Sequence, residues 1–152
     1  MRWTNGDYEI DDERSRLDMD RIVGWLAKSY WARHTPEPAV RRSWQRSGVV
    51  FGLYRGDELI GCARAVTDFA RFAYLSDVFV EPEYRGHGLG RWLVQTMIEH
   101  PDIPAVRWVL HTDDAHGLYG QLGFEPADET VMQRPRPATY TAPPLRSSWD
   151  QG

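Results

Sequence analysis

The sequence predicts an α/β (α+β) domain in which helices cover a mixed β-sheet. Two segments with helical spacing come first, three strand-like segments joined by short turns follow, and strands then alternate with helices. This order of elements is typical of a mixed sheet covered by helices. The chain has 152 residues, of which 41% are hydrophobic, and this is enough for one hydrophobic core.

Two helices are predicted in the first third of the chain. Residues 18–31 begin with acidic residues suited to capping a helix, and their apolar residues recur at helical spacing. Residues 35–48 have prolines near the start and Gly48 at the end, which is the pattern of a short helix.

The middle of the chain has the pattern of β-strands. Residues 49–55 and 59–68 flank the turn Gly-Asp-Glu, so they are predicted to form an antiparallel hairpin. Residues 72–80 supply a third strand after another short turn. We therefore expect a three-stranded meander in the sheet.

Strands and helices alternate in the second half of the predicted domain. A glycine-rich loop follows the third strand, and an amphipathic helix is predicted over residues 89–99. Residues 105–112 are predicted to form a further strand. A short helix should end at Gly123, and residues 124–134 should supply a last strand or hairpin. The domain is thus predicted to span residues 1–133.

Composition excludes several classes of function. A formal net charge of -4 gives no broad electrostatic reason to expect nucleic acid or a membrane surface as a partner. Cys62 is the only cysteine, so the chain has no internal disulfide or cysteine-rich zinc cluster, and no metal is expected. Without a signal peptide or a long apolar run, the protein is expected in the cytoplasm. Residues 134–152 are rich in proline and small polar residues, and we expect a loose tail.

Residues 84–90, Tyr-Arg-Gly-His-Gly-Leu-Gly, form a glycine-rich loop between a predicted strand and a predicted helix. Glycines let backbone N–H groups approach a ligand, and the N-terminus of a helix attracts an anion. Arg85 and Arg91 can add charge-assisted hydrogen bonds to phosphate oxygens. The alternative is a helix-entry turn with surface arginines. The spacing matches neither a P-loop nor the dinucleotide-binding fingerprint.

The loop and a second motif resemble the GNAT superfamily of N-acetyltransferases. The loop reads R-x-x-G-x-G after Val-Phe-Val-Glu-Pro-Glu-Tyr, and residues 115–126 are similar to the family segment A-x-x-L-Y-x-x-x-G-F. The resemblance covers roughly residues 17–132. It implies a central sheet of about six to seven strands with splayed middle strands, flanked by about four helices. It also implies acetyl-CoA as the co-substrate.

The resemblance also implies which residues bind acetyl-CoA. In the family the loop holds the pyrophosphate, and the preceding strand pairs with the pantetheine arm. The matching positions in this chain are Val78, Phe79, Val80, Arg85, Gly86, His87, Gly88, Leu89, Gly90 and Arg91.

Acetyl transfer to an amine has three chemical requirements. The amine must lose a proton, the tetrahedral oxyanion needs a hydrogen-bond donor, and a general acid helps the thiolate to leave. The resemblance gives the acid role to Tyr119, and a backbone N–H of Phe79 or Val80 would hold the thioester oxygen. The alternative for Tyr119 is an aromatic residue packed in the core.

The general base is open at this stage. The third strand most resembles polyamine and small-amine acetyltransferases, in which an L-E-D segment binds the substrate ammonium and deprotonates it. Here Ser76 replaces the first acid and Asp77 remains, as a catalytic residue or as a hydrogen-bonded acid at a strand end. His111 and His116 are further candidates because histidine titrates near neutral pH. Thr112 stands where the family often has asparagine.

Aromatic and acidic side chains are candidates for binding the acceptor. An aromatic face and a carboxylate both attract a cationic amine. We expect a small primary amine, aromatic or polyamine-like, although core packing explains most of the aromatic residues equally well. The candidates are Tyr30, Trp31, Asp68, Phe72 and Tyr74.

Three functions are compatible with the sequence. The first is a small-molecule amine N-acetyltransferase, and the second is an acetyltransferase that modifies a lysine or N-terminal amine of a protein or peptide. The third is a non-catalytic module that binds acyl-CoA, and the presence of Tyr119 argues against it. A homodimer is compatible with each of them.

Overall fold

The computed structural model describes residues 1–137, which contain six β-strands and four α-helices. The strands are β1 (Arg2–Asn5), β2 (Tyr8–Asp11), β3 (Val49–Arg55), β4 (Glu58–Thr67), β5 (Phe72–Val80) and β6 (Arg107–Val109). The helices are α1 (Met19–Lys28), α2 (Glu37–Arg46), α3 (Leu89–Ile98) and α4 (His116–Gly120). Short 3₁₀ turns lie at Arg14–Arg16 and Pro82–Tyr84.

The strands form one mixed sheet in the order β1-β2-β3-β4-β5-β6. Neighbouring strands are antiparallel except for β5 and β6, which are parallel because α3 connects them across the sheet. The predicted hairpin of β3 and β4 and the third strand of the meander are confirmed. The predicted mixed sheet with about six strands and four helices is therefore confirmed.

The helices cover the two faces of the sheet. Asp18 caps the N-terminus of α1, since its side chain accepts a hydrogen bond from the backbone N–H of Arg21. Helices α1 and α2 pack on one face, where the buried residues are Ile22, Leu26, Val40, Trp44, Val50, Tyr54, Leu59 and Cys62. Helix α3 packs on the other face with Phe51, Leu53, Ile60, Ala63, Ala65, Leu75, Leu93, Val94 and Met97.

The structure differs from the predicted strands at both ends of the domain. The hairpin of β1 and β2 was not predicted, and it extends the sheet by two strands. The predicted strand or hairpin within residues 124–134 is wrong, because these residues form no strand. Pro126 has no N–H to donate, and Val131 and Met132 remain exposed, so no hydrophobic face holds the segment against the sheet.

The C-terminal prediction falls largely outside the described residues. Residues 134–137 are exposed and without regular secondary structure, and residues 138–152 of the predicted tail are not described. Within residues 1–137, no helix has the length and apolar composition needed to cross a bilayer.

Candidate active site

A cleft opens where β5 and β6 separate. Residues Phe72–Tyr74 of β5 pair with Arg107–Val109, and within the described chain no strand pairs with that edge of β5 from Leu75 onward. The cleft has a volume of about 1400 Å³, and its walls are the end of β5, the segment between α1 and α2, the glycine-rich loop, and α4. The open strand edge presents backbone groups without β-sheet partners to a ligand.

The glycine-rich loop forms one end of the cleft. Gly86 and Gly88 have φ angles of 84° and 75°, a left-handed conformation that favours glycine. A Cβ atom built on either glycine would meet no atom within 4 Å, so the space in front of the loop is open. Gly88 is the N-cap of α3 and supplies no side-chain cap, which leaves N–H groups of the first turn accessible.

Two arginines add positive charge to this end of the cleft. Arg85 and Arg91 both line it, and Arg85 Nε donates to the backbone oxygen of Val80 at 2.8 Å. His87 does not line the cleft, and its Nδ1 lies 3.1 Å from the backbone oxygen of Arg85. The arrangement has the features of an anion-binding site at a helix N-terminus.

The end of β5 is attached to α1 by a carboxylate and two aromatic rings. Glu81 Oε1 accepts hydrogen bonds from Trp25 Nε1 at 2.8 Å and from Arg21 Nη2 at 3.1 Å. The Trp25 ring stacks on the Phe79 ring with the centroids 4.8 Å apart. These contacts fix the part of β5 whose backbone faces the cleft.

Asp77 lies at an irregularity between β4 and β5. The strand register shifts between Cys62 and Arg64, and Asp77 has a φ of 53° in a buried position. Arg64 Nε lies 2.6 Å from Asp77 Oδ2, and Trp31 Nε1 donates to Oδ1 at 3.0 Å. Both carboxylate oxygens are therefore occupied. A role of Asp77 in binding or deprotonating the amine stays a prediction.

Arg64 is a residue of the site that the sequence analysis did not identify. Its guanidinium also donates to Ser76 Oγ at 3.1 Å and to Ser47 Oγ at 3.2 Å. The signal in the sequence was a single arginine within the otherwise apolar residues 59–66 of β4. Arg64 lines the cleft together with Ser76 and Asp77, and it holds the irregular part of β5 against β4.

Tyr119 lies on α4 and lines the cleft. Burial, with smaller contributions from Tyr30 and Asp114, raises the pKa of its hydroxyl to about 12. Its ring packs edge-on against Phe124, with the centroids 5.8 Å apart. The hydroxyl group is therefore protonated near neutral pH and retains a proton that it can donate.

Aromatic residues form the cleft wall opposite the sheet. The rings of Tyr30 and Trp31 are perpendicular, with centroids 5.0 Å apart, and both residues line the cleft. Tyr30 Oη donates to Asp114 Oδ1 at 3.1 Å and accepts from the backbone N–H of Asp113 at 3.2 Å. This contact joins the segment after α1 to the segment after β6. Tyr74 lines the cleft from β5.

Two predicted acceptor-binding residues lie elsewhere. Asp68 and Phe72 do not line the cleft. Asp68 Oδ1 accepts three backbone N–H groups of the turn before β5, at distances of 2.8 to 3.1 Å, and these hydrogen bonds lower the pKa of the carboxyl group. Asp68 is thus a turn-forming residue, and it takes no further part in the site.

The two candidate histidines and Thr112 lie on the β6 side of the cleft. His111 lines the cleft and also a second cavity of about 680 Å³ beside β6, whereas His116 lines the second cavity alone. Thr112 Oγ1 accepts a hydrogen bond from the backbone N–H of Ala115 at 3.1 Å, just before α4. Thr112 therefore supports the turn that leads to Tyr119.

Sequence comparisons find relatives that are named as acetyltransferases. A protein of Gibberella zeae named "Putative acetyltransferase" is 34% identical over 150 aligned residues, covering 82% of this chain and 83% of that protein. The Glycine max protein named "Histone acetyltransferase TAP1" is 37% identical over 142 residues, covering 84% of this chain but 57% of that protein.

A solved structure also relates the chain to acetyltransferases. The crystal structure of a GNAT-family protein from Xanthomonas campestris superposes with a TM-score of 0.81 at 36% identity, covering 89% of this chain and 97% of that one. The sequence profile described as "Acetyltransferase (GNAT) family" matches residues 18–124, which is more than half of the chain. The chain therefore belongs to the GNAT family of acetyltransferases.

Proposed function

We propose that this enzyme transfers the acetyl group of acetyl-CoA to a primary amine of a small molecule, by direct attack in a ternary complex. One observation carries the proposal: the edge of β5 that no described strand covers, the N-terminus of α3 without a side-chain cap, and Tyr119 all line one cleft. A strand edge, an anion site and an acid are the parts that acyl transfer from a CoA thioester requires.

The residues present fit acetyl-CoA as the co-substrate. Phosphate groups would bind at the open space before Gly86 and Gly88, with Arg85 and Arg91 beside them. The pantetheine amides would pair with the free edge of β5 at Val78–Val80. Acetyl-CoA supplies the activated acetyl group when it is bound, and the protein supplies its orientation.

The chain's own groups account for the movement of charge. A backbone N–H of Phe79 or Val80 would stabilise the oxyanion that forms when the amine nitrogen attacks the carbonyl carbon. The new C–N bond forms, the C–S bond breaks, and Tyr119 Oη would give its proton to the departing sulfur. The proton lost by the amine requires a separate acceptor.

The acceptor end of the cleft favours a small molecule. Tyr30 and Trp31 form an aromatic wall, and the hydrogen bond between Tyr30 and Asp114 connects two walls of the cleft. Aromatic rings and a carboxylate attract a cationic amine. The name of the Glycine max relative supports the alternative, a lysine or N-terminal amine of a protein or peptide. A cytoplasmic location and a homodimer stay predictions.

A thiol-release assay separates these functions. The full chain is incubated with acetyl-CoA and either 2-phenylethylamine, spermidine or a lysine-containing histone-tail peptide, and free CoA is measured. Turnover with the small amines and none with the peptide supports the proposal, whereas the reverse pattern supports the protein acetyltransferase. Binding of acetyl-CoA in a calorimeter without turnover on any acceptor would support a non-catalytic module.

A further inference from the structure

Tyr74 and His111 form a hydrogen-bonded pair in the wall of the cleft. Tyr74 Oη lies 2.8 Å from His111 Nδ1, and the ring centroids are 5.7 Å apart. Tyr74 belongs to β5, and His111 follows β6 by two residues, so the pair bridges the two strands where they begin to separate. Both side chains line the cleft that contains Tyr119.

Each carboxylate that lines the cleft accepts at least one hydrogen bond from a protein donor. Among the described residues that line it, the acidic side chains are Asp77, Glu81 and Asp114. Asp77 accepts from Arg64 and Trp31, Glu81 accepts from Arg21 and Trp25, and Asp114 accepts from Tyr30. Asp77 thus accepts a hydrogen bond on each oxygen, whereas Glu81 and Asp114 accept on one oxygen only. Near neutral pH a carboxylate is also a weaker proton acceptor than an imidazole.

His111 has one ring nitrogen that no described protein group contacts by a hydrogen bond. Its Nδ1 is occupied by Tyr74, and within residues 1–137 no protein group hydrogen-bonds its Nε2. The side chain is exposed in the cleft, so a substrate amine can reach it. An imidazole held through one nitrogen and open at the other is the usual arrangement of a histidine base.

We propose that His111 accepts the proton of the substrate ammonium group, and that Tyr74 is the positioning residue that orients its ring. This inference rests on the proposed acetyltransferase function. Nδ1–H donates to Tyr74 Oη, which leaves the lone pair of Nε2 directed at the amine. The N–H bond of the ammonium breaks, the proton moves to Nε2, and the amine nitrogen keeps the electron pair that forms the C–N bond.

Charged and titratable groups lie in and near the walls of the two cavities that His111 lines. From β4 and β5 these are Arg64, Tyr74 and Asp77, and from the segment after α1 it is Tyr30. From β6, α4 and the segments around them they are Arg107, Asp113, Asp114, His116, Tyr119, Glu125 and Asp128. Both signs of charge are present among these groups, so the pH profile must be measured.

The pH dependence of kcat/KM tests the proton acceptor. With acetyl-CoA and 2-phenylethylamine, His111→Gln should lower kcat/KM at pH 7 by about 100-fold or more, the loss typical of a missing general base. The decrease of kcat/KM toward low pH that the wild type shows, which is the acidic limb of its profile, should also disappear. His34→Gln is the matched control, since His34 is an exposed histidine outside the cleft, and its profile should equal that of the wild type. An unchanged profile in His111→Gln overturns the proposal.

Tyr74→Phe tests the positioning role. Without the oxygen that accepts Nδ1–H, the imidazolium is less stabilised, so the acidic limb should move to lower pH while kcat/KM falls by about tenfold. A purely structural tyrosine would leave the limb in place. An unmoved limb in Tyr74→Phe therefore removes Tyr74 from the proposal.

A spectroscopic measurement is independent of the acceptor used. In ¹⁵N NMR spectra of the substrate-free protein, neutral His111 should carry its proton on Nδ1, and Tyr74→Phe should redistribute it between the two nitrogens. A neutral ring with the proton on Nε2 overturns the proposal even if no amine is turned over. Acetyl transfer that is unaffected in His111→Gln overturns this inference alone. If the wild type transfers no acetyl group to any amine, the proposed function fails, and the NMR result then decides the Tyr74–His111 pair.

Discussion

Arg64 and Asp77 form a buried ion pair across β4 and β5, with Nε 2.6 Å from Oδ2. The pair lies where the register of the two strands shifts, and Asp77 has a left-handed φ of 53° there. A β-bulge redirects side chains and is frequent beside active sites. The bulge brings both Ser76 and Asp77 to one guanidinium, so the ion pair stabilises the irregular backbone from which the open edge of β5 continues.

Asp77→Asn should destabilise the fold more than it affects acetyl-CoA binding. The substitution keeps the shape of the side chain but leaves Arg64, whose side chain is 14% exposed, without its counter-charge. We expect the free energy of unfolding to fall by about 2 kcal/mol, as for a lost hydrogen bond to a charged group. Urea unfolding gives this difference, and calorimetry should show an unchanged acetyl-CoA affinity.

An exposed ion pair provides the control for Asp77→Asn. Asp20 pairs with Arg41 on the surface, and its side chain is 88% exposed. Asp20→Asn should therefore destabilise the fold much less than Asp77→Asn, because solvent screens such pairs. Equal effects of the two substitutions would show that burial of Arg64 and Asp77 contributes nothing.

Gly88→Val should weaken acetyl-CoA binding by more than its effect on stability explains. The φ of 75° strains any side chain at this position, and the valine would occupy the open space in front of the α3 N-terminus. Gly6→Val is matched to it, since Gly6 has a φ of 59° and open surroundings in the turn between β1 and β2. Both variants should lose about 1 to 2 kcal/mol of stability from the left-handed backbone. Calorimetry should show that Gly88→Val binds acetyl-CoA at least tenfold more weakly than the wild type does, whereas Gly6→Val keeps the wild-type affinity. Equal affinities of the two variants would exclude phosphate binding at the loop.

Local patterns in the sequence were sufficient for much of the fold and for one end of the site. The turn Gly-Asp-Glu between two apolar segments predicts the β3–β4 hairpin, and glycines at residues 86 and 88 predict the left-handed loop before α3. The turn Asn5-Gly6-Asp7 lies between β1 and β2, so the first hairpin also had a local signal.

Contacts that depend on strand register could not be predicted in this way. Arg64 meets Asp77 only because one extra residue of β5 is accommodated opposite β4. The Tyr74–His111 contact requires parallel pairing of β5 with β6, which α3 separates in the sequence. Such pairs are set by the packing of the whole sheet, and a single sequence does not show which side chains face each other.

Stability should decrease at alkaline pH because of Tyr54. Burial raises the pKa of its hydroxyl to about 12, whereas an unfolded tyrosine titrates near 10. Between pH 10 and pH 12 the unfolded chain loses this proton and the folded chain keeps it. The stability that is present below pH 10 is therefore lost as the pH rises. Urea unfolding of Tyr54→Phe should show a smaller loss over this range than the wild type. If the free energy of unfolding fell equally with pH in both proteins, groups other than Tyr54 would cause the loss of stability.

Tyr119→Phe should remove the proton donor of the reaction and leave the fold intact. The ring keeps its packing against Phe124, so urea unfolding and acetyl-CoA affinity should match the wild type. Because the pKa of Tyr119 is raised to about 12, the wild-type hydroxyl stays protonated up to alkaline pH, and its loss should lower kcat at every pH below that value. We expect kcat to decrease by a factor of about 10² to 10⁴, equivalent to about 3 to 5 kcal/mol of activation free energy.

Tyr8→Phe, on β2 and outside the cleft, should keep wild-type turnover. The measurement is thiol release with 2-phenylethylamine under conditions where chemistry limits the rate. A wild-type kcat in Tyr119→Phe would mean that this tyrosine only packs in the core and that another group protonates the leaving sulfur.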